Sequence, residues 1–345
     1  MGQGQGPARR VRWRRNRTAR PAEAGMTHEQ ADPGGDHAWY HALLKRAAGA
    51  GPVVTAVAHP CDAHALGAAA EAAARGLIRP ILVGPEAKIR QAAAAGGIDL
   101  AGFDIEPAPH SHAAAAQAVA LVRCGRASLL MKGSLHTDEL MHEVVAHDTG
   151  LRTERRISHV YIMALPGWPR PLLVTDAAIN VAPSLLDKRD IVQNAIDLAQ
   201  EMGIANPRVA ILSAVETVNP ELQSTLDAAA LCKMADRGQI VGGVLDGPLA
   251  FDNAISEEAA RDKGIVSPVA GRADILVAPD LVSGNILAKQ LTFMGHADAA
   301  GVVLGARVPI ILTSRADAEV TRIASCAVAV LMSGRAMLKV GRPPA

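Results

Sequence analysis

The sequence predicts a layered α/β protein built around a largely parallel sheet. From about residue 38 onward, segments with helical periodicity alternate with short aliphatic runs, which is typical of βαβ units. Hydrophobic residues make up 49% of the 345 residues and aromatic residues only 2%, so we expect a core of small aliphatic side chains. Gly, Pro or a charged residue interrupts every apolar run before the roughly 18 to 20 residues that a membrane span requires. We therefore expect a soluble protein that makes no contact with a membrane.

The alternation predicts each element in turn. The predicted helices lie at 38–48, 63–75, 113–123, 184–202, 221–236, 283–294 and 316–333. The predicted strands lie at 52–58, 80–83, 128–131, 160–164, 172–174, 208–212, 240–244, 273–277, 301–304 and 309–312. The helix at 184–202 has the clearest limits, because Ser184 and Asp187 have the spacing of a capping box and Gly203 ends the helical pattern. An arginine-rich polar segment at 148–158 interrupts the alternation and predicts a domain boundary near residue 150.

The first 25 residues form a basic extension. Clustered arginine with few acids would suit nucleic-acid binding or a transit peptide. A charged segment that cannot form an apolar core is more simply a disordered extension or a misplaced translation start, and we favour that interpretation, with no nucleic acid as a partner. The seven arginines are Arg9, Arg10, Arg12, Arg14, Arg15, Arg17 and Arg20.

The four cysteines indicate a reducing compartment. They lie far apart and form no Cys-x-x-Cys pair, so neither a disulfide framework nor a thiolate zinc site is predicted. We therefore expect the protein in the cytoplasm. The twelve histidines also lack the spacing of recognised metal sites, so we expect no metal.

The loop after the predicted strand 128–131 is a candidate anion-binding site. In open α/β sheets, ligands bind beyond the carboxyl ends of the strands. Lys132, Gly133 and Ser134 supply a cation, a glycine that lets backbone amides approach a ligand, and a hydroxyl group. Gly133 would equally serve a tight turn.

The loop after the predicted strand 309–312 is a second candidate. It places Ser314, Arg315 and Asp317 at the start of a helix, where the arginine adds a permanently charged donor group to the positive end of the helix dipole. This arrangement suits a phosphate group. The spacing of Ser314 and Asp317 also fits a capping box, so the residues alone support both interpretations.

Two further loops carry carboxylates. Asp246 follows the predicted strand 240–244, and Asp280 follows the predicted strand 273–277. Each would place a carboxylate at the mouth of a cleft, and each would equally serve as a helix N-cap. No strand is followed by Gly-x-Gly-x-x-Gly or by a Walker loop, which weakens a simple dinucleotide-binding or phosphate-loop interpretation.

Six ordered segments between about residues 50 and 335 carry a resemblance to a known family. They are MKGSLHT at 131–137, LVTDAAINVAP at 173–183, VAILSAVETVNPELQSTLDA at 209–228, VGGVLDGPLAFDNAI at 241–255, APDLVSGNILAK at 278–289 and VPIILTSRAD at 308–317. Together they resemble the phosphate acetyltransferase and phosphate butyryltransferase family, including the type that is otherwise fused to an enoyl-CoA hydratase domain.

The resemblance implies a fold, a reaction and partners. It implies two three-layer α/β domains with a cleft between them, as in isocitrate and isopropylmalate dehydrogenases. The first domain would comprise 26–150 with 300–345, and the second 151–299. It further implies a homodimer, no metal and no tightly bound cofactor, with coenzyme A as a substrate. Acyl-CoA and phosphate, or CoA and acyl phosphate, would react directly in one ternary complex.

The resemblance also implies roles for single residues. Arg315 would bind phosphate and Ser314 would contact the oxyanion or the reacting carbonyl. Lys132 and Gly133 match the anion loop of the family, and other predicted substrate-binding residues fall in the matching segments: Ser134, Asp246, Asp280, Gly284, Asn285 and Lys289.

The sequence departs from the acetyl-specific members at the general base. Thr321 stands where those members carry a catalytic Asp, and Asp317 is the nearest replacement. A capping carboxylate usually has a lowered pKa and is a weak base. The further phosphate-binding arginines of those members also find no match here, either near 87–125 or just after Thr137. These departures favour the butyryl-like or fused branch.

Two alternatives remain at this level. One is an NAD- and metal-dependent decarboxylating dehydrogenase on the same fold, which would need an arginine cluster that the sequence does not supply. The other is a non-catalytic sensor of CoA or acyl phosphate that kept the pocket and lost the base.

Overall fold

The structure, a computed structural model, describes residues 38–312 and 317–340. The strands are β1 (Val53–Ala58), β2 (Ile78–Gly84), β3 (Asp104–Pro107), β4 (Leu129–Lys132), β5 (Ser158–Ala164), β6 (Leu172–Thr175), β7 (Arg208–Leu212), β8 (Val244–Leu249), β9 (Ile275–Val277), β10 (Asp298–Leu304) and β11 (Ile310–Ile311). The helices are α1 (Ala38–Gly49), α2 (Ala63–Ala74), α3 (Glu86–Gly96), α4 (Ser111–Arg123), α5 (Thr137–Val145), α6 (Leu185–Glu201), α7 (Gln223–Asp236), α8 (Phe251–Ile255), α9 (Glu257–Asp262), α10 (Leu281–Phe293) and α11 (Glu319–Val340).

The described strands form one sheet in the order β3-β2-β1-β4-β11-β10-β5-β6-β9-β7-β8. Pairing is parallel except between β11 and β10, β10 and β5, and β5 and β6. Three successive antiparallel pairings reverse the strand direction across the middle of the sheet. The carboxyl ends of β1, β2, β4 and β11 therefore lie at one edge, whereas those of β6, β9, β7 and β8 lie at the other.

Helices cover both faces of the sheet, because strand side chains alternate between the faces. Val57 and Met131 point into a large cluster shared with α1, α2, α6 and α11. Ala56 and Leu130 point to the opposite face, into a cluster beneath α4 and α5. Among the described residues, every helix is too short or too polar to span a bilayer.

Most predicted elements are confirmed within a few residues. The capping box at Ser184 and Asp187 is present, with both reciprocal hydrogen bonds. Five elements of the structure were not predicted: α3, β3, α5, α8 and α9. The division into two domains stays a prediction.

The predicted strand at 240–244 is wrong. Gly242 has a left-handed backbone (φ 84°), which ends the extended run, and β8 begins only at Val244, opposite Arg208 of β7. As a consequence Asp246 lies within β8, paired with Ala210, and not in a loop after the strand.

Candidate functional site

The last strand-to-helix loop is described only in part. Ser314 and Arg315 lie outside the described residues. Asp317 is half-buried before α11, and its backbone carbonyl accepts a hydrogen bond of 2.6 Å from Arg322 Nη1. Burial, and to a smaller extent the charge of Asp317, raises the pKa of Tyr161 in the middle of the sheet. Asp317 is therefore close enough to Tyr161 of β5 to affect its pKa. The catalytic role of Asp317 stays a prediction.

The predicted anion loop is held tightly against the end of β1. The N–H groups of Gly133 and Ser134 donate to the carbonyls of Ala58 and His59, each at 2.8 Å. A Cβ on Gly133 would collide with both of these backbones. Lys132 Nζ donates to the Gly133 carbonyl at 3.2 Å. These contacts engage the two amides within the protein, and the role of the loop in substrate binding stays a prediction.

A polar corner lies beside this loop at the carboxyl ends of β1 and β4. Ser134 Oγ donates to the His59 carbonyl at 3.0 Å and accepts from the Cys61 N–H at 2.8 Å. His59 has a left-handed backbone (φ 54°), which is rare outside glycine. His59 Nδ1 and Glu139 Oε2 are both buried without a hydrogen-bond partner. Burial lowers the pKa of His59 and raises the pKa of Cys61 to about 11.

A second aromatic and polar group occupies the middle of the sheet. The rings of His159 and Tyr161 on β5 meet edge to face, with centroids 4.3 Å apart. His159 is 2% exposed and its Nδ1 has no hydrogen-bond partner, and burial lowers the pKa of its imidazole. Opposite Tyr161 on β10, Gly301 donates its N–H to Ser325 Oγ of α11 at 2.9 Å.

The predicted residues of α10 contact the loop after β6. Asp280 caps α10 by accepting from Ser283 N–H at 2.9 Å. Asn285 Nδ2 donates to the Ala177 carbonyl at 3.0 Å, and Gly284 lies against the Asp176 carbonyl with no room for a side chain. The cap that the sequence offered as an alternative for Asp280 is therefore present.

The loop after β6 is organised by a buried carboxylate. Asp176 is 3% exposed and accepts from the N–H groups of the three residues 178–180 and from Asn180 Nδ2 at 2.5 Å. Asn180 Oδ1 accepts in turn from Arg156 Nε at 2.6 Å. Ile179 of this loop packs against the apolar cluster beneath α4 and α5. The loop after β6 thus packs against the same apolar cluster as α4 and α5.

The remaining predicted residues lie apart from these groups. Asp246 is half-buried in β8, and its Oδ1 accepts from the Gly247 N–H at 2.8 Å. Lys289 is exposed on α10.

The structure therefore brings the predicted residues together in two sets. Lys132, Gly133 and Ser134 contact the end of β1. Gly284 and Asn285 contact the loop after β6, and Asp280 caps the helix that carries them. Sequence reasoning missed His59, Glu139, His159, Tyr161 and Asp176. A usable signal existed for both His59 and Asp176, because His59 directly follows the predicted strand 52–58 and Asp176 lies two residues beyond the predicted strand 172–174.

Within 38–312 and 317–340, no group of three or more His, Cys, Asp or Glu side chains is arranged to hold a metal ion.

This architecture is that of the layered α/β proteins that bind small ligands beyond the ends of their strands. The family model "Phosphate acetyl/butaryl transferase" matches residues 110–330, and the chain belongs to that family. A Rhizobium meliloti protein named "Phosphate acetyltransferase" is 67% identical over 296 residues, which are 86% of this chain and 94% of that relative. A "Phosphate butyryltransferase" from Clostridium acetobutylicum is 43% identical over 81% of this chain and 93% of that relative.

A solved structure agrees with the fold. The crystal structure of a branched-chain phosphotransacylase from Enterococcus faecalis V583 is 30% identical, has a TM-score of 0.71, and covers 81% of this chain and 99% of that one. The predicted family and the α/β fold class are confirmed.

Proposed function

We propose that this protein transfers a short acyl group reversibly between coenzyme A and inorganic phosphate. The observation that carries the proposal is the 67% identity to a phosphate acetyltransferase over 94% of that relative's length. Coverage of nearly the whole relative makes a shared reaction the simplest expectation.

We propose acetyl as the acyl group. The departures near Thr321 favoured the butyryl-like branch, but the acetyltransferase relative is 67% identical and the butyryltransferase relative 43%. Sequence distance therefore supports acetyl over butyryl.

The reaction needs three things from the protein. A free thiol has a pKa of about 8.5, so CoA needs a base to become a thiolate at neutral pH. The thiolate sulfur attacks the carbonyl carbon of the acyl phosphate, and the resulting oxyanion needs donors already in place. The carbon–oxygen bond to phosphate then breaks, and a cation must hold the departing phosphate.

The resemblance supports an assignment of these tasks. Arg315 holds the phosphate and Ser314 donates to the oxyanion, while Asp317, Lys132, Gly133 and the predicted residues of α10 complete the substrate site. We also propose that the protein is cytoplasmic and forms a homodimer. Light scattering on the full-length protein as it elutes from a size-exclusion column tests the homodimer.

The activity is tested by release of free thiol from acetyl-CoA and, separately, from butyryl-CoA, with and without inorganic phosphate. We expect release that depends on phosphate and is faster with acetyl-CoA. No phosphate-dependent release from either thioester would refute the proposed function and lead to a test with NAD, magnesium and 2-hydroxy acids.

The assignment of Arg315 has its own test. Arg315→Ala should lower kcat by about 10² or more, because the guanidinium offsets charge that develops in the transition state. The control Arg237→Ala removes an exposed arginine at the end of α7 and should keep the wild-type rate. Wild-type turnover in Arg315→Ala would contradict the assignment.

A further inference from the structure

The corner between β1, β4 and α5 holds polar atoms that the fold itself does not use. His59 Nδ1 and Glu139 Oε2 are buried without a hydrogen-bond partner. An unsatisfied buried polar atom destabilises the folded state, so two in one corner of the protein call for an explanation. Both belong to side chains that are only partly buried, so each side chain also reaches the surface.

The backbone at His59 is fixed by contacts that do not involve its ring. Its carbonyl accepts from the Ser134 N–H at 2.8 Å, from Ser134 Oγ at 3.0 Å and from the Cys61 N–H at 2.9 Å. These bonds hold φ at 54°, a conformation that is strained for a residue with a side chain. Glycine or asparagine would satisfy the same backbone more cheaply, so the imidazole itself is the feature that needs explaining.

The corner lies on the edge of the sheet where the topology predicts ligand binding. His59 follows β1 directly and Glu139 lies in the first turn of α5, at the carboxyl ends of β1 and β4. β11, which leads into the loop predicted to hold phosphate, pairs with β4 at this same edge. In open α/β sheets this edge is the one that binds ligands.

We propose that His59 is the general base that accepts the thiol proton of coenzyme A, and that Glu139 is a positioning residue that acts on the imidazole through its charge. The proposal rests on the acyl transfer proposed above. In the direction of acyl-CoA synthesis, the S–H bond breaks, the proton moves to His59 Nε2, and the sulfur bonds to the acyl carbon as phosphate leaves. In the reverse direction the imidazolium returns that proton to the departing thiolate.

The charges around His59 suit this role. Burial lowers its pKa, whereas the Ser134 backbone and the carboxylates of Glu139 and Asp62 raise it, and Lys88 of α3 lowers it. Burial is the largest of these effects and lowers the pKa of His59 from its ordinary value, which favours the neutral form that accepts a proton. This assignment supplies the base that Thr321 does not.

His59→Gly and His59→Asn are the test variants, because both residues tolerate the left-handed backbone and should keep the fold. With acetyl phosphate and CoA as substrates, each should lower kcat by about 10² to 10⁴. The acid limb of the pH profile of kcat/KM should disappear, and free imidazole should restore part of the rate of His59→Gly. His296→Asn is the matched control, since His296 also has a left-handed backbone (φ 51°) but is exposed elsewhere.

Glu139→Gln separates positioning from catalysis. Removing the carboxylate should move the acid limb of the pH profile to lower pH, because that carboxylate raises the pKa of His59. Wild-type rates in both His59 variants, or a lowered rate with an unchanged acid limb and no rescue by imidazole, would overturn the proposal. Failure of the proposed function is distinguishable, because the wild-type protein would then release no thiol.

Discussion

The close contact between the loops after β1 and β4 predicts a strong effect of one added methyl group. A Cβ on Gly133 would lie 2.6 Å from the His59 carbonyl oxygen and 2.7 Å from its carbon. Since an ordinary contact needs about 3.5 Å and the Ala58 carbonyl oxygen would lie closer still, the two backbones would have to separate by about 1 Å. This overpacking costs about 1 to 3 kcal/mol, and weakening the hydrogen bonds of Gly133 and Ser134 adds about 0.5 to 1.5 kcal/mol each.

Gly133→Ala should therefore lower the free energy of unfolding by about 3 kcal/mol, after a gain of about 0.4 to 1 kcal/mol from the stiffer unfolded chain. The assay is equilibrium unfolding in urea, read at the midpoint and slope of the transition. Gly49→Ala is the control, because a Cβ at the end of α1 meets no heavy atom within 4 Å. A Gly133→Ala protein within about 0.5 kcal/mol of the wild type would show that the loops are not packed as described.

Two further predictions concern stability. Lys188 and Asp227 form an ion pair of 2.6 Å, and both side chains are 8% exposed. Asp227→Ala should lower the free energy of unfolding, measured in urea, by about 3 to 5 kcal/mol, because it leaves the Lys188 ammonium buried without its partner. The control Lys233→Ala breaks an exposed pair and should leave the midpoint of unfolding unchanged. Ser184→Ala should cost about 1 kcal/mol through loss of the capping box. Burial raises the pKa of Asp187, but the hydrogen bonds from Ser184 outweigh burial, so the pKa lies below its ordinary value of 3.8. The contribution of this pair to the free energy of unfolding is therefore complete above pH 3.8 and is lost as the pH falls below it. An effect of Ser184→Ala that stays constant down to pH 2 would contradict this linkage.

The elements with regular local signals were predictable from the sequence. Ser184, Asp187 and Gly203 determine α6 through bonds within one or two turns, so their effect does not depend on distant contacts. The strand at 240–244 failed because apolar composition does not report backbone dihedral angles. Gly242 turns the chain there, and the extended run begins two residues later.

The candidate site was predictable only as a set of loops. Residues that follow strands could be identified, because the carboxyl ends of parallel strands are where ligands bind. The partners of those residues could not, since Gly133 meets His59 across 74 positions of sequence and Asn285 meets Ala177 across 108. Contacts between residues this far apart in the chain decide whether a polar group binds another part of the protein or is left to bind a ligand.

By itself, the sequence determined the α/β class, most of the strands and helices, and the family, because periodicity, caps and ordered motifs are local or linear features. Only the tertiary structure decided that three antiparallel pairings reverse the sheet, that the amides of Gly133 and Ser134 are engaged by β1, and that His59 and Glu139 carry unpaired buried atoms. The reason is physical: strand pairing and the burial of a polar atom depend on contacts between segments far apart in the chain.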